Sequence, residues 1–388
     1  MTQNTPAPVI VFSAGETSGE RHAAALFSQL KRHRADIVGI GMGGADMAQA
    51  GIELRYDSSG IAVIGVVEVL KHYGEIRRAL QLMKRLLAEQ HPDLLLCVDY
   101  KEFNFKLATY AKSIGIKVLF YVSPQVWAWR AGRVKAYGKV IDMMAVIFPF
   151  ETAYYEAERI PVRYVGHPCV DKVKVQGSKA QAFSQFAFNP NAPLVGLLPG
   201  SRVNEIQRLL PPMLAAAQQL QQDFPNCQFV LFKASAISAA LLAKHLGQTD
   251  LPIKVISEQP YELMQCCSAV MTSSGTATLE LALLGVPMVL SYKLSPLTYY
   301  LGRLLVNIAF IGLPNIIAGK AIVPELIQSR ASPANLAAEV RRLLSDADYA
   351  QTMRDELAKV SSQLGTGGCS ENMAQLVLEL LTEVTQTD

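Results

Sequence analysis

The stretch Leu194-Val195-Gly196-Leu197-Leu198-Pro199-Gly200-Ser201-Arg202 decides the fold. Its first five residues are apolar or small, with no alternation of polar side chains. A strand of that kind is stable only where both faces of its sheet are covered, as in a parallel sheet wrapped by helices. The run stops at a proline–glycine pair, and a segment of helical period opens at Val203. Strand, short turn and helix in that order make the first half of a βαβ unit.

The same grammar recurs in both directions along the chain. Before this stretch come the apolar runs Val9–Ser13, Ile37–Gly41, Leu94–Val98, Val118–Val122, Met143–Ile147 and Val162–Val165, with helical periods at Arg21–Arg34, Gly74–Gln90 and Phe103–Ile114. After it come Gln228–Phe232, Ile253–Ile256, Ala269–Met271 and Met288–Ser291. Helical periods there fall at Pro212–Gln222, Ser238–His245, Thr276–Leu284 and Pro333–Leu344. Between the halves, residues 166–193 carry Pro168, Gly177, Pro190 and Pro193 and read as a linker with a lead-in helix. The expected fold class is α/β, with two Rossmann-like doubly wound parallel-sheet domains facing a cleft. Residues 1–170 form the first and 171–345 the second. A helical segment, 346–388, broken near Gly365-Thr366-Gly367-Gly368, is expected to pack back on the N-terminal domain or on a partner subunit.

Composition bounds the function. Half of the 388 residues are hydrophobic and 18% are charged, which favours a large buried core over disorder. The six cysteines include no CxxC pair, so they read as reduced thiols of a cytoplasmic protein, not a zinc site or a disulfide framework. A net charge of +3 is too mild for a dedicated nucleic-acid binder. The polar start, Met1–Pro8, has no secretory pattern, and the longest uncharged stretch, Leu304–Gly319, is broken by Asn307, Gly312, Pro314 and Asn315. It falls short of the roughly 20 apolar residues a membrane span takes, so the chain is expected to be soluble or peripheral.

Four groups of residues can carry chemistry. In Pro199-Gly200-Ser201-Arg202, glycine allows close approach to an anion, the helix N-terminus favours negative charge and Arg202 can clamp phosphate oxygens. The same residues equally suit an ordinary turn with a solvated arginine. Ser274-Gly275-Thr276-Ala277 opens another helix after a strand, and Glu280, about one turn inside, is placed for a ribose diol; a plain capping arrangement is the alternative. Asp99 stands at the end of Leu94–Val98, where it can deprotonate a hydroxyl or simply cap the next helix. It lacks the second acid of a DxD pair, so no metal and no cofactor are expected. Finally, the first strand-to-helix turn, with Glu16 and Ser18, departs from GxGxxG and is acidic, which argues against a nicotinamide enzyme.

Further candidates for a cleft lining are Asn104, Ser123, Trp127, Trp129 and His167, each of which also suits a core or purely structural role. Ile64, Val66, Val67 and Leu70 run into a helical period flanked by Arg77 and Arg78. This pattern fits a helix resting on anionic lipid or an amphipathic helix packed on a core.

Taken together, these segments resemble the lipid-A-disaccharide synthase family, glycosyltransferase family 19. The resemblance rests on Ala14-Gly15-Glu16-Thr17-Ser18-Gly19, Tyr121-Val122-Ser123-Pro124, Val126-Trp127-Ala128-Trp129-Arg130, Phe148-Pro149-Phe150-Glu151, Gly166-His167, Leu198-Pro199-Gly200-Ser201-Arg202, Ser274-Gly275-Thr276-Ala277 with Leu279-Glu280, and Leu313-Pro314-Asn315. Glu20 stands where the family often has Asp, and Tyr100-Lys101-Glu102 departs from its usual sequence. The resemblance implies a GT-B architecture and a metal-independent inverting transfer. The donor would be UDP-2,3-diacylglucosamine and the acceptor 2,3-diacylglucosamine 1-phosphate, giving a β-1,6-linked disaccharide in lipid A biosynthesis. It implies Asp99 as general base, Arg202 on the phosphates, and Gly200, Ser201, Ser274, Gly275, Thr276, Ala277, Glu280 and Asn315 on the donor side. Glu16, Ser18, Asn104, Ser123, Trp127, Trp129 and His167 then fall on the acceptor side. The lipid substrates imply the cytoplasmic face of the inner membrane, and the long C-terminal helical segment is compatible with a homodimer. The competing expectations are a GT-B-like UDP-sugar 2-epimerase and a non-catalytic nucleotide-sugar-binding module.

Overall fold

The computed structural model describes residues 7–60, 72–125, 131–257, 260–295, 299 and 309–384. They gather into two compact units, Met1–Pro168 with Gly367–Asp388, and Cys169–Thr366.

The first unit is built on a parallel sheet of β1 (Val9–Ala14), β2 (Val38–Gly43), β3 (Glu53–Asp57), β4 (Leu94–Val98), β5 (Val118–Tyr121), β6 (Met143–Val146) and β7 (Val162–Tyr164), in the order β3-β2-β1-β4-β5-β6-β7. Its longer helices are α1 (Thr17–His33), α2 (Tyr73–Gln90) and α3 (Lys101–Ser113). The second unit repeats the plan with β8 (Leu194–Leu198), β9 (Gln228–Lys233), β10 (Ile253–Ser257), β11 (Ala269–Ser273), β12 (Met288–Tyr292) and β13 (Glu325–Ile327), ordered β10-β9-β8-β11-β12-β13. Around it lie α4 (Val203–Asp223), α5 (Thr276–Leu283), α6 (Pro333–Ser345) and α7 (Ala347–Gln363). Each is a Rossmann-like doubly wound sheet, the two-domain architecture of GT-B enzymes. In each, the strand order reverses once, between β1 and β4 and between β8 and β11. At such a reversal the flanking helices diverge to opposite faces, leaving the strand ends accessible.

The apolar runs serve two cores at once. Val11, Leu95, Cys97 and Phe120 enter one cluster, while Ile10, Phe12, Leu96 and Leu119 enter the other. The period of two is therefore present, but both of its phases are apolar. The last described helix, α8 (Cys369–Val384), covers part of the second of these clusters. Its Met373, Ala374, Val377 and Leu381 pack in the same cluster as Phe27 and Leu30 of α1. At roughly 1.5–3 kcal/mol for each large apolar side chain buried, this burial holds α8. The His33–Glu371 contact at 2.6 Å and the Arg163–Glu379 ion pair at 2.5 Å are exposed and add little.

Three departures from the expected elements have physical causes. Strand β3 lies at a sheet edge and alternates exposed and half-buried residues, so it has no apolar run. Strand β13 is too short to show a period. The helical segment expected from Val203 and the helix expected around Pro212–Gln222 are one continuous helix, α4, running through Pro211 and Pro212. Each proline removes one N–H from the helical ladder; burial of Ile206, Leu209, Leu210, Met213, Ala217 and Leu220 along the α4 face sustains the helix across the gap. Among the described residues no helix is long and apolar enough to cross a membrane.

Gly41 is a point of close backbone approach in the first sheet. It pairs with Phe12 of β1, its φ is +152°, and a Cβ there would sit 2.0 Å from the Phe12 carbonyl oxygen. Backbone cannot yield as a side chain can. Gly41→Ala is therefore expected to destabilise the first unit by roughly 2–5 kcal/mol, read as an earlier urea midpoint. An unchanged midpoint would refute this packing.

Candidate functional site

In the second unit, the reversal point brings the two glycine-containing turns together. The end of β8 leads into Pro199–Arg202 and the end of β11 into Ser274–Thr276, and both border a pocket of about 400 Å³. Gly200, Ser201, Arg202, Ser274, Gly275, Thr276, Ala277 and Glu280 all line it.

Glu280 is only 3% exposed, which demands compensation for its charge. Its Oε1 accepts from the Lys172 ammonium at 2.8 Å and from the Tyr261 hydroxyl at 3.0 Å. Burial works to lower the Lys172 pKa, but the hydrogen bond and charge of Glu280 outweigh it and raise it above the ordinary value. The Tyr261 hydroxyl is pushed up to about 12 by burial and by the same carboxylate. Lys172 and Tyr261 are functional-site neighbours that sequence reasoning missed. They come from segments distant along the chain, and no spacing links them to Glu280.

The Gly200–Arg202 turn holds a further residue that the sequence reading passed over. Glu205, in the first turn of α4, accepts from the Ser201 N–H at 2.9 Å and the Arg202 N–H at 3.2 Å through Oε2. Its Oε1 accepts from the Arg202 guanidinium at 3.1 Å. Gly200 has φ +117°, and a Cβ there would lie 2.3 Å from Glu205 Oε2. The chain's own carboxylate thus sits against the amides expected to hold phosphate. An acid at the third helical position is a capping signal, and it was available at Glu205.

The other turn has a different character. No acidic residue stands in the first turn of α5, and space beyond the Gly275 Cα is open to at least 4 Å. The Ser274 hydroxyl donates to the Ile311 carbonyl at 2.9 Å, so it braces the turn. Asn315 lies outside the pocket lining and is fully buried. Its Nδ2 donates to Val323 O at 2.9 Å and Glu325 Oε1 at 2.8 Å, and its Oδ1 accepts from the Ile322 and Val323 amides at 2.7 and 2.9 Å. The side chain is thereby saturated by its own loop.

In the first unit, the reversal point aligns Ala14 of β1 with Val98 of β4, so Glu16 and Asp99 follow adjacent strand ends. Asp99 and Tyr100 both adopt left-handed backbone, with φ 49° and 45°. Burial raises the Asp99 carboxyl above its ordinary pKa, opposed by the Lys101 charge and a hydrogen bond from the Tyr100 backbone. Glu16 is raised by burial and then by Asp99, again opposed by Lys101. Two carboxyls and one lysine therefore share this corner. Asn104 is fully buried and bonded to main-chain carbonyls of β1 and β4.

The remaining candidates divide. Ser123 is buried and shares a hydrogen bond with the Tyr155 hydroxyl at 2.8 Å. His167 is buried beside Phe148, with ring centroids 4.9 Å apart. Burial, then the charge of His22, depresses its pKa to about 4, so it is neutral at physiological pH. Ser18 is exposed. Trp127, Trp129, Ile64, Val66, Val67 and Leu70 lie outside the described residues. Arg77 and Arg78 are exposed on α2. Of the apolar face of that helix, Met83 and Leu87 are buried in the core and Ile76 and Leu80 pack against it, while Tyr73 is 57% exposed. That face of α2 is mostly a core face. Among the described residues no three His, Cys, Asp or Glu side chains cluster as a metal site requires.

Known proteins share this chain's features at two levels. The profile of the lipid-A-disaccharide synthetase family matches residues 10–379. A lipid-A-disaccharide synthase of Geobacter sulfurreducens is 47% identical over 98% of this chain and 99% of its own. One of Nitrosococcus oceani is 46% identical over 97% of each. Solved structures agree on the fold alone. The calicheamicin glycosyltransferase CalG4 superposes with a TM-score of 0.63 at 17% identity, over 98% of this chain and 100% of that one. The UDP-GlcNAc 2-epimerase of Neisseria meningitidis, solved with UDP-GlcNAc, gives 0.62 at 15%, over 96% and 100%. A family profile that matches nearly the whole chain and an identity above 45% over nearly the full length leave one assignment: the chain belongs to the lipid-A-disaccharide synthase family of glycosyltransferases.

Proposed function

We propose that this enzyme transfers 2,3-diacylglucosamine from UDP to the 6-hydroxyl of 2,3-diacylglucosamine 1-phosphate, inverting the anomeric centre to give the β-1,6-linked lipid A disaccharide 1-phosphate. One observation above the others supports the reading. Two motif-bearing turns converge on a single pocket that offers an arginine and a buried carboxylate. The pocket would take UDP, with Glu280 on the ribose diol and Arg202 with the Gly275–Ala277 turn on the diphosphate. Asp99 would remove the acceptor hydroxyl proton as that oxygen attacks the anomeric carbon. Negative charge then builds on the departing UDP, where a guanidinium and a helix N-terminus stabilise it electrostatically.

Substrates with acyl chains call for a membrane surface, and we propose the cytoplasmic face of the inner membrane, with Arg77 and Arg78 of α2 facing lipid phosphates. Co-sedimentation with anionic vesicles at low salt should be lost on reversing both charges. Equal binding by the reversed variant would remove α2 from the contact.

The assignments separate experimentally. Asp99→Asn is expected to lower turnover by roughly 10²–10⁴-fold while UDP affinity stays within about twofold. Arg202→Ala should weaken UDP about 10- to 100-fold and lower turnover as well. Because the base must be ionised and burial raises its pKa, kcat/KM should rise with pH through a pKa above the usual aspartate value near 3.9. A profile flat across that range would exclude Asp99 as the base. Turnover of UDP-diacylglucosamine to UDP that requires acceptor distinguishes the transferase from an epimerase or a non-catalytic binder.

A further inference from the structure

We infer that Asn104 is the residue that holds Asp99 in its working geometry, a positioning role rather than a contact with the acceptor. The inference rests on the reading of Asp99 as general base. Its starting point is the backbone: Asp99 and Tyr100 are consecutive non-glycine residues in the left-handed region, with φ 49° and 45°. Each such residue costs on the order of 1–3 kcal/mol and persists only where its surroundings over-determine it.

Asn104 supplies much of that determination. Its Nδ2 donates to the Asp99 carbonyl at 2.8 Å, and lies 3.1 Å from Ser13 O and 3.3 Å from Val98 O. Its Oδ1 accepts from the Ser13 hydroxyl at 2.6 Å. One side chain thus ties the end of β1, the end of β4 and the corner beyond β4 together, at 0% exposure. The Asp99 amide donates to Tyr121 O at 3.1 Å, which anchors the corner to β5. The Tyr100 ring fills the space over Gly15, where an added Cβ would lie 2.2 Å from Tyr100 Cδ1.

The chemistry of the position is selective. An amide offers two N–H donors and an acceptor on a short planar head. Aspartate would turn acceptor oxygens toward three carbonyls, and leucine would leave those carbonyls unpaired in the core. With its N–H groups donating to main-chain carbonyls, its oxygen accepting from Ser13 and the residue at 0% exposure, Asn104 is enclosed away from a sugar. What it delivers is the direction of the Asp99 side chain, in a corner shared with Lys101 and Glu16. The groups that couple to Asp99 there, the Lys101 charge, the Tyr100 backbone N–H and the Glu16 carboxyl, follow the ends of β1 and β4.

The test compares Asn104→Ala with Ser13→Ala in the full-length enzyme, measuring kcat, UDP affinity and thermal stability. Ser13→Ala removes an equally buried bond of the same network, the one to Asn104 Oδ1, and keeps the Asn104 bond to the Asp99 carbonyl. Misplacement of a base by about 1 Å can cost 10²-fold. Asn104→Ala is therefore expected to lower kcat at least about tenfold with UDP affinity within about twofold. Ser13→Ala should keep kcat within about threefold. An Asn104→Ala enzyme with near-wild-type kcat, or a Ser13→Ala enzyme that loses as much, overturns the inference. If Asn104→Ala does not fold, Asn104→Ser, which keeps one donor, carries the same expectation and the same refutation. Asp99→Asn is the control for the underlying reading. Should Asp99→Asn stay active, the base assignment falls; should it be inactive while Asn104→Ala turns over normally, only the positioning role falls.

Discussion

Burial of each central strand on both faces is the constraint from which the rest follows. In β4, every residue from Leu94 to Val98 is buried, and Ile10, Val11 and Phe12 of β1 are likewise inaccessible. Such a strand has no solvent face on which to display a polar group. Its chemistry has to wait for the carboxyl end, where the ladder stops and the chain must turn. Where the strand order reverses, neighbouring ends are uncovered together, so two turns from distant segments can converge. Both units obey this, which is why Asp99 and the Gly200 and Gly275 turns all stand one step beyond a strand.

The two reversal points solve the turn differently. Beyond β8 and β11, glycines at φ +117° and +145° take the unusual backbone at little cost. Beyond β4 the residues are aspartate and tyrosine, and the left-handed corner must be held by packing and hydrogen bonds. With Asp99 proposed as the base and the glycine turns proposed to hold phosphate, the difference follows from what each point has to present. An anion can be bound by backbone N–H groups, so side chains there can be absent. A proton acceptor has to be a side chain, so the corner that carries it cannot be glycine.

The strands and helices of both cores were legible because burial writes itself as composition. Unbroken apolar runs announced the central strands, and the break at Gly365–Gly368 announced the separation of α7 from α8. Strands β3 and β13 were not legible: β3 alternates exposed and half-buried residues and leaves no run, and β13 is only three residues long. The site was legible at the level of turns: Gly200–Arg202 and Ser274–Glu280 do line one pocket. Side-chain partnerships were not. Nothing local to Glu280 announces Lys172, and nothing in Asn315 or Asn104 distinguishes a ligand-facing amide from one bonded within the fold. Those distinctions depend on which distant carbonyls a fold brings within 3 Å, and a linear pattern does not encode them.

The self-capping of the Gly200–Arg202 turn changes how the pocket has to work. Two carboxylates, Glu205 and Glu280, stand in the lining of a site read as anion-binding. Each is neutralised within the unit, Glu205 by Arg202 and two amides, Glu280 by Lys172 and a hydroxyl. The walls are therefore paired rather than simply positive, and a strongly basic pocket that would retain any polyanion is avoided. The turn at Gly275 is then the part with amides and helix dipole still uncompensated by an acid. On the proposed reading, UDP would bring its ribose diol to Glu280 at one end and its diphosphate to the Gly275 turn at the other. Selectivity in such a pocket comes from the spacing between the two features, since neither charge sign predominates along its walls.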